Sequence, residues 1–208
     1  TKIITEKDRV IIEVPIGVYT NPLIYNIEAD ATSCIYPISI AILNNYDLTI
    51  SNLYADNIQG DSYYCTKIIE ELGVKVEQNN LGTTYYPPKK LKEIKEIDMD
   101  SSDTFITFCI LCCFINGKTI IKNISNQNKK ECKRIDVILH ALLLCGVNIS
   151  REEDNLIING CNQNLDGAYI ECHDDHRIAM SIAVLSTRIP NIVLSNYMCV
   201  NKTYPSFW

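Results

Sequence analysis

Apolar residues along the chain recur with two different periods, and the alternation between those periods repeats. From Asp30, Asp103 and Asp175 the stretches DATSCIYPISIAIL, DTFITFCILCCF and DHRIAMSIAVLS each place an acidic residue ahead of an apolar run with helical spacing. Their starts lie 73 and 72 residues apart. Each run leads through a turn to a short β-branched segment, LTISNL, TIIKNI or IVLSNY, whose asparagines Asn52, Asn123 and Asn196 repeat at 71 and 73 residues. In the first two copies a second helical stretch follows and ends in LGV (72–74) or CGV (145–147), after which come the strand-like tails KVEQNNLGTTYY and VNISREEDNLIING. The pattern predicts an α/β (α+β) fold of repeated βαβαββ units at about 23–97, 98–167 and 168–208, with helices inside and sheets outside and the third unit cut short. Residues 1–22, with VIIEVP and GVYTNP, fit no unit and read as a strand and linker from an upstream domain.

Composition narrows the class. The chain has 208 residues, 47% of them hydrophobic, enough for one substantial core. Its longest apolar run, ITFCILCCFI, is too short to span a bilayer, and no signal sequence opens the chain, so a cytoplasmic location is expected. Ten cysteines sit largely inside apolar periodic runs, as at Cys109, Cys112, Cys113 and Cys145, without paired CxxC spacing, and read as reduced core residues. A net charge of −6 argues against a broad nucleic-acid surface and confines anion binding to local basic clusters.

Two such clusters stand out. In NQNKKECKRIDVILHALLLCG a helix is expected to begin near Lys129, with Lys130, Glu131 and Arg134 in its first turn. In ECHDDHRIAMSIAVLS, Asp174 or Asp175 caps a helix whose first turn carries His176 and Arg177. Cations at the positive end of a helix cost a few tenths of a kcal/mol to about 1 kcal/mol each. Equivalent loops of repeated units emerge on one side, so these helix starts, Asp103 and the loop at Lys202 can converge, and a multiply charged anion would use both their side chains and the free N–H groups. The plainer alternatives are a solvated KKECKR surface, an N-cap role for Asp103 and an ordinary ion pair between Glu131 and Arg134. His173 and His176 have no third ligand at matching spacing, and Asp98 and Asp100 read as solvated turn residues.

DDHRIAM followed by CVNKTYPSFW, with NQNKKECKRI, EADATSCIYP and DMDSSDTF in order before them, resembles the 5-enolpyruvylshikimate-3-phosphate synthase family from about residue 20 to 208. The wording YTNPLIYNIEADATS, NIQGD and KKECKRI is most similar to the synthase domain of fungal pentafunctional arom polypeptides. The resemblance implies one globular domain of the two-domain enolpyruvyl transferase fold, an inside-out α/β barrel. It also implies transfer of the enolpyruvyl group of phosphoenolpyruvate to the 5-hydroxyl of shikimate 3-phosphate with release of phosphate, without metal or organic cofactor. By the same resemblance Arg134 and Arg177 hold the phosphoenolpyruvate carboxylate, Lys202 lies near its phosphate and His176 beside it. Asp103, Glu131 and Lys130 are the implied catalytic residues, Asp103 meeting the shikimate hydroxyls as a base and Glu131 acting on the methylene carbon, while Lys130 with Asn126 also contacts shikimate 3-phosphate. Asn128 and Lys129 depart from the fungal pattern of Arg then an aliphatic residue. The family's Lys-Ser and Ser-Ser-Gln motifs do not occur in this chain, so one wall of a cleft is expected, inactive without the N-terminal half and with other arom domains as further partners. A related UDP-N-acetylglucosamine enolpyruvyl transferase, or a non-catalytic module of the same fold, are the alternatives.

Overall fold

The computed structural model describes residues 2–7, 9–100, 102–160 and 164–208. Its centre is a trio of helices, α1 (Ala31–Asn44), α4 (Phe105–Cys112) and α6 (His176–Ser186), each packed against the other two. These are the three runs that follow the repeated aspartates. All eight residues of α4 are buried, which is why its sequence is apolar on every side rather than along one stripe. Burying a side chain such as Phe108 or Leu111 is worth about 1.5–3 kcal/mol. The hydroxyl pair in that core is satisfied mutually, with Thr107 Oγ1 and Ser181 Oγ 2.9 Å apart between α4 and α6.

Sheets lie outside this trio. The middle one is complete, in the order β6 (Glu96–Asp98), β7 (Gly117–Lys122), β9 (Asn155–Gly160), β8 (Asn148–Glu152), with β6 parallel to β7 and the other pairs antiparallel. The first copy has β3 (Leu48–Ser51), β5 (Gly82–Tyr86) and β4 (Lys75–Asn79), all antiparallel neighbours, and the third has β10 (Tyr169–Ile170) parallel to β11 (Val193–Leu194). Between β3 and β4, α2 (Asp61–Tyr63), a π-helical turn (Tyr64–Ile68) and α3 (Ile69–Glu71) run on as one helix. Its counterpart in the second copy is α5 (Arg134–Leu144).

The repeated asparagines now have a cause. Asn52, Asn123 and Asn196 all have left-handed backbones, with φ of 62°, 59° and 48°, a conformation that asparagine tolerates better than most residues. Each also donates its side-chain N–H back to the segment entering its own unit: Asn52 to the Ile27 carbonyl, Asn123 to Asp98 Oδ2 at 2.8 Å and Asn196 to Asp174 Oδ1. Gly73 and Gly146 end their helices with φ of 88° and 83°, the familiar glycine terminator.

Several expectations need correcting. Residues 1–22 were expected to hold a single strand, but Lys2–Glu6 (β1) and Arg9–Glu13 (β2) pair as an antiparallel hairpin, because the earlier stretch KIITE is as rich in β-branched residues as RVIIE. The opening strand of the first unit does not form. One backbone bond, Ala29 N–H to the Asn52 carbonyl at 3.1 Å, stands in its place, and Pro22 has no N–H for a ladder. β6 straddles the boundary drawn between 97 and 98, which makes Asp98 a strand end rather than a turn residue. Finally, α5 begins at Arg134, not near Lys129: Ser125–Lys129 is a 3₁₀ turn and Lys133 has a non-helical ψ of 76°.

Candidate functional site

The amino ends of α4, α5 and α6 and the 3₁₀ turns Ser125–Lys129 and Tyr197–Lys202 bring one charged network together. Its hub is Arg134, only 1% exposed although it is the first residue of α5. The guanidinium grips Asp175 side-on, Nε to Oδ2 at 2.7 Å and Nη2 to Oδ1 at 3.3 Å. Nη1 donates to Asp103 Oδ1 at 2.9 Å and Gln127 Oε1 at 3.3 Å, and Nη2 also donates to Glu131 Oε2 at 2.8 Å. Five donors therefore meet five acceptors, which is what allows a guanidinium to be buried at all.

Around the hub sit three further cations. Lys130 Nζ lies 3.2 Å from Asp103 Oδ1, Arg177 Nε 3.2 Å from Asp103 Oδ2, and Lys202 Nζ 2.8 Å from Glu131 Oε1. Asp103, Lys130, Glu131, Arg134, Arg177 and Lys202 thus form one connected group, drawn from the second and third copies of the repeat. Two buried polar atoms beside this group have no protein partner among the described residues, Asn126 Oδ1 and His176 Nδ1. The network occupies an open face. A cavity of about 900 Å³ lies at the other, carboxyl ends of the three central helices, lined by Ile42, Leu43, Phe114, Arg188 and Ile189, and holds none of these groups.

Asp103 does not cap α4. Thr104 takes the N-cap position without a side-chain bond, and the Asp103 carboxylate turns to the cations instead. Asp30 and Asp175 do cap their helices, accepting the Ser33 and Arg177 N–H groups. The unfavourable placement of cations at the starts of α5 and α6 is thereby offset within the protein, by Asp175 and Asp103, before any ligand arrives.

The electrostatics follow from these contacts. Burial works to raise the Asp103 pKa, but the charges of Arg177, Arg134 and Lys130 outweigh it and hold the group ionised below its ordinary range. The Lys202 hydrogen bond, with Arg134 behind it, brings Glu131 down to about 2 against partial burial. Burial and then the neighbouring Arg177 charge depress His176, favouring its neutral form. Because the folded-state pKa of Glu131 is lowered, its stabilising contribution is present above the ordinary glutamate value of about 4.3 and is lost as pH falls toward about 2. Replacing Lys202 with methionine should raise the Glu131 pKa toward 4.3, as followed by carboxyl NMR chemical shifts. An unmoved titration would show that Lys202 does not set it.

Sequence reasoning missed three members. Asp175 was seen as a cap but not as the buried counter-ion of Arg134; the adjacent Asp174, which instead receives Asn196, left the choice between them open. Gln127, fully buried, donates Nε2 to the Ser102 carbonyl at 2.9 Å while accepting from Arg134. Cys132 directs its Sγ at Asp175 Oδ2 at 3.4 Å, and burial, helped by that carboxylate, pushes its pKa up to about 12, so it is present as the thiol. No helix among the described residues is long and apolar enough to cross a membrane.

The family model for EPSP synthase (3-phosphoshikimate 1-carboxyvinyltransferase) matches residues 2–208. The pentafunctional AROM polypeptide of Mycosarcoma maydis is 34% identical over 212 residues, covering 94% of this chain and 12% of the relative. The polypeptide of the same name from Yarrowia lipolytica is 34% identical over 199 residues, covering 94% of this chain and 13% of the relative. Among solved structures, an EPSP synthase from Acinetobacter baumannii superposes with a TM-score of 0.73 at 21% identity, over 87% of this chain and 44% of that one. The enolpyruvyl transferase NikO from Streptomyces tendae does so with a TM-score of 0.64 at 17% identity, over 85% and 41%. The chain thus spans about an eighth of the length of these curated relatives and less than half of these solved chains.

Proposed function

Because the chain belongs to the EPSP synthase family, we propose that it forms one wall of an active site transferring the enolpyruvyl group of phosphoenolpyruvate to the 5-hydroxyl of shikimate 3-phosphate, with release of phosphate. The observation that carries this reading is the convergence of Lys130, Arg134, Arg177 and Lys202 on the carboxylates of Asp103 and Glu131 at one open face. Such a cluster suits a substrate with a carboxylate and a phosphate, since the protein carboxylates hold the cations until the substrate anions exchange with them.

Roles follow from what each group has free. Among the described residues Arg177 is ion-paired through Nε and has Tyr36 as a further hydrogen-bond partner, so its remaining donors serve the phosphoenolpyruvate carboxylate, whereas Arg134 joins it by giving up Glu131 or Asp103. Lys202, the most exposed of the four cations, takes the phosphate. Glu131 delivers and recovers the proton at the methylene carbon once the phosphate has drawn Lys202 away, because a carboxylate held near a pKa of 2 is a poor acid at neutral pH. Asp103 receives the proton of the attacking hydroxyl and orients the shikimate ring. Lys130 and Asn126 hold shikimate 3-phosphate, and neutral His176 lines the phosphoenolpyruvate site. The units near 23–97, 98–167 and 168–208, the second taken back to Glu96 so that β6 stays whole, and 1–22 from the preceding domain belong to the same proposal, as do the other domains of a longer cytoplasmic polypeptide as partners. No metal or organic cofactor takes part.

The test is joint expression with the preceding half of the enzyme. Phosphate release should require both halves and both substrates, and residues 1–208 alone should show no turnover. Turnover by this chain alone, or none from the joined halves, would overturn the proposal.

A further inference from the structure

One short turn holds the Arg134 guanidinium and, separately, the backbone of the next residue, Ile135. In Ser125–Lys129, Gln127 accepts from the head of the arginine at Nη1, 3.3 Å away, and is itself tied to the Ser102 carbonyl. The next residue, Asn128, accepts the backbone N–H of Ile135 through Oδ1 at 2.9 Å. That N–H is one of the orphan donors at the start of α5, where the N-cap residue Lys133 offers no side-chain acceptor. Asp136, in the first turn, is drawn away by Arg151 Nη1 at 2.5 Å. Asn128 therefore supplies, from seven residues upstream, a cap that the local sequence lacks.

We propose that Gln127 and Asn128 are positioning residues for Arg134, Gln127 fixing its guanidinium and Asn128 fixing the helix turn from which it projects. The proposal rests on the functional reading only for its consequence, that a correctly aimed Arg134 is needed to bind the substrate carboxylate. With Gln127 on the guanidinium and Asn128 on the turn that carries it, Arg134 keeps Asp103, Glu131 and Asp175 in register.

The test is hydrogen exchange by NMR on the 208-residue chain, well below its unfolding temperature. Asn128→Leu keeps the size and removes the acceptor, so exchange of the Ile135 N–H and the Arg134 Nε–H should quicken about tenfold, the scale of a lost cap, while the Phe108 amide in α4 stays protected. Asn128→Asp and Asn128→Ser, which keep an acceptor, should restore both. Gln127→Met should quicken the Arg134 Nε–H and leave the Ile135 N–H unchanged. If every protected proton accelerates in parallel, the two residues merely stabilise the fold and the proposal fails; it fails equally if none does. In the joined enzyme, Asn128→Leu should weaken phosphoenolpyruvate binding about tenfold, with rescue by Asn128→Asp. Absence of phosphoenolpyruvate binding by the unsubstituted joined enzyme would instead count against the functional reading, leaving the exchange pattern to decide the positioning roles.

Discussion

Asp175→Ala should lower the unfolding free energy by about 4–6 kcal/mol, the largest effect expected of any single replacement in the charged network. Two losses combine. Arg134 remains buried without its side-on partner, and breaking a buried ion pair from one side costs about 3–5 kcal/mol because the remaining charge is left desolvated. The same carboxylate caps α6 through the Arg177 N–H at 2.9 Å, and losing a cap costs about 1 kcal/mol. Asp175→Asn keeps an acceptor for the cap and removes only the charge, so it should cost about half as much. Urea unfolding midpoints measure both. A cost below about 1 kcal/mol for the alanine variant would mean that Arg134 finds water when Asp175 is gone and is not the buried hub described here.

Glu131→Gln, in the joined enzyme, should reduce kcat by about a hundredfold or more while KM for either substrate changes little. Glutamine keeps the shape and one oxygen acceptor for Lys202 or Arg134, but it has no proton to exchange with the methylene carbon. The split between kcat and KM separates proton transfer from binding. Phosphate release at the unsubstituted rate would remove Glu131 from the chemistry and leave it as a counter-ion of Arg134 and Lys202.

The central trio of helices was legible because an aspartate followed by an apolar run recurred at a nearly fixed interval, and a repeat carries more information than any one motif. For Asp103 the repeat alone offered an N-cap, and the family resemblance rather than the local pattern put it among the site residues. Its repeat partners Asp30 and Asp175 are caps, but Asp103 has three cations within reach, contributed by residues 27, 31 and 74 positions away. Local sequence cannot weigh such neighbours. The start of α5 failed for a related reason. KKECKR has the i, i+3 and i, i+4 spacing of a helical surface, yet Arg134 is drawn into the core by Asp175, and the preceding residues form a bend with Lys133 outside helical geometry. Gln127 carries no charge and gave no signal, and Asn128 stood out only as a departure from the resembled family's pattern, because the importance of each lies in a bond to a residue seven positions on.

The complete burial of α4 bears on how this architecture can be divided. Repeats invite the picture of separable modules, each able to be copied, shuffled or cut out whole. A unit whose middle helix is apolar on all sides has no such independence, since α1 and α6 from its neighbours supply the surroundings that water would otherwise fill. Cut away from α1 and α6, α4 would be an unsheltered apolar rod. The repetition is therefore one of geometry and not of autonomy: α1, α4 and α6 shelter one another from water.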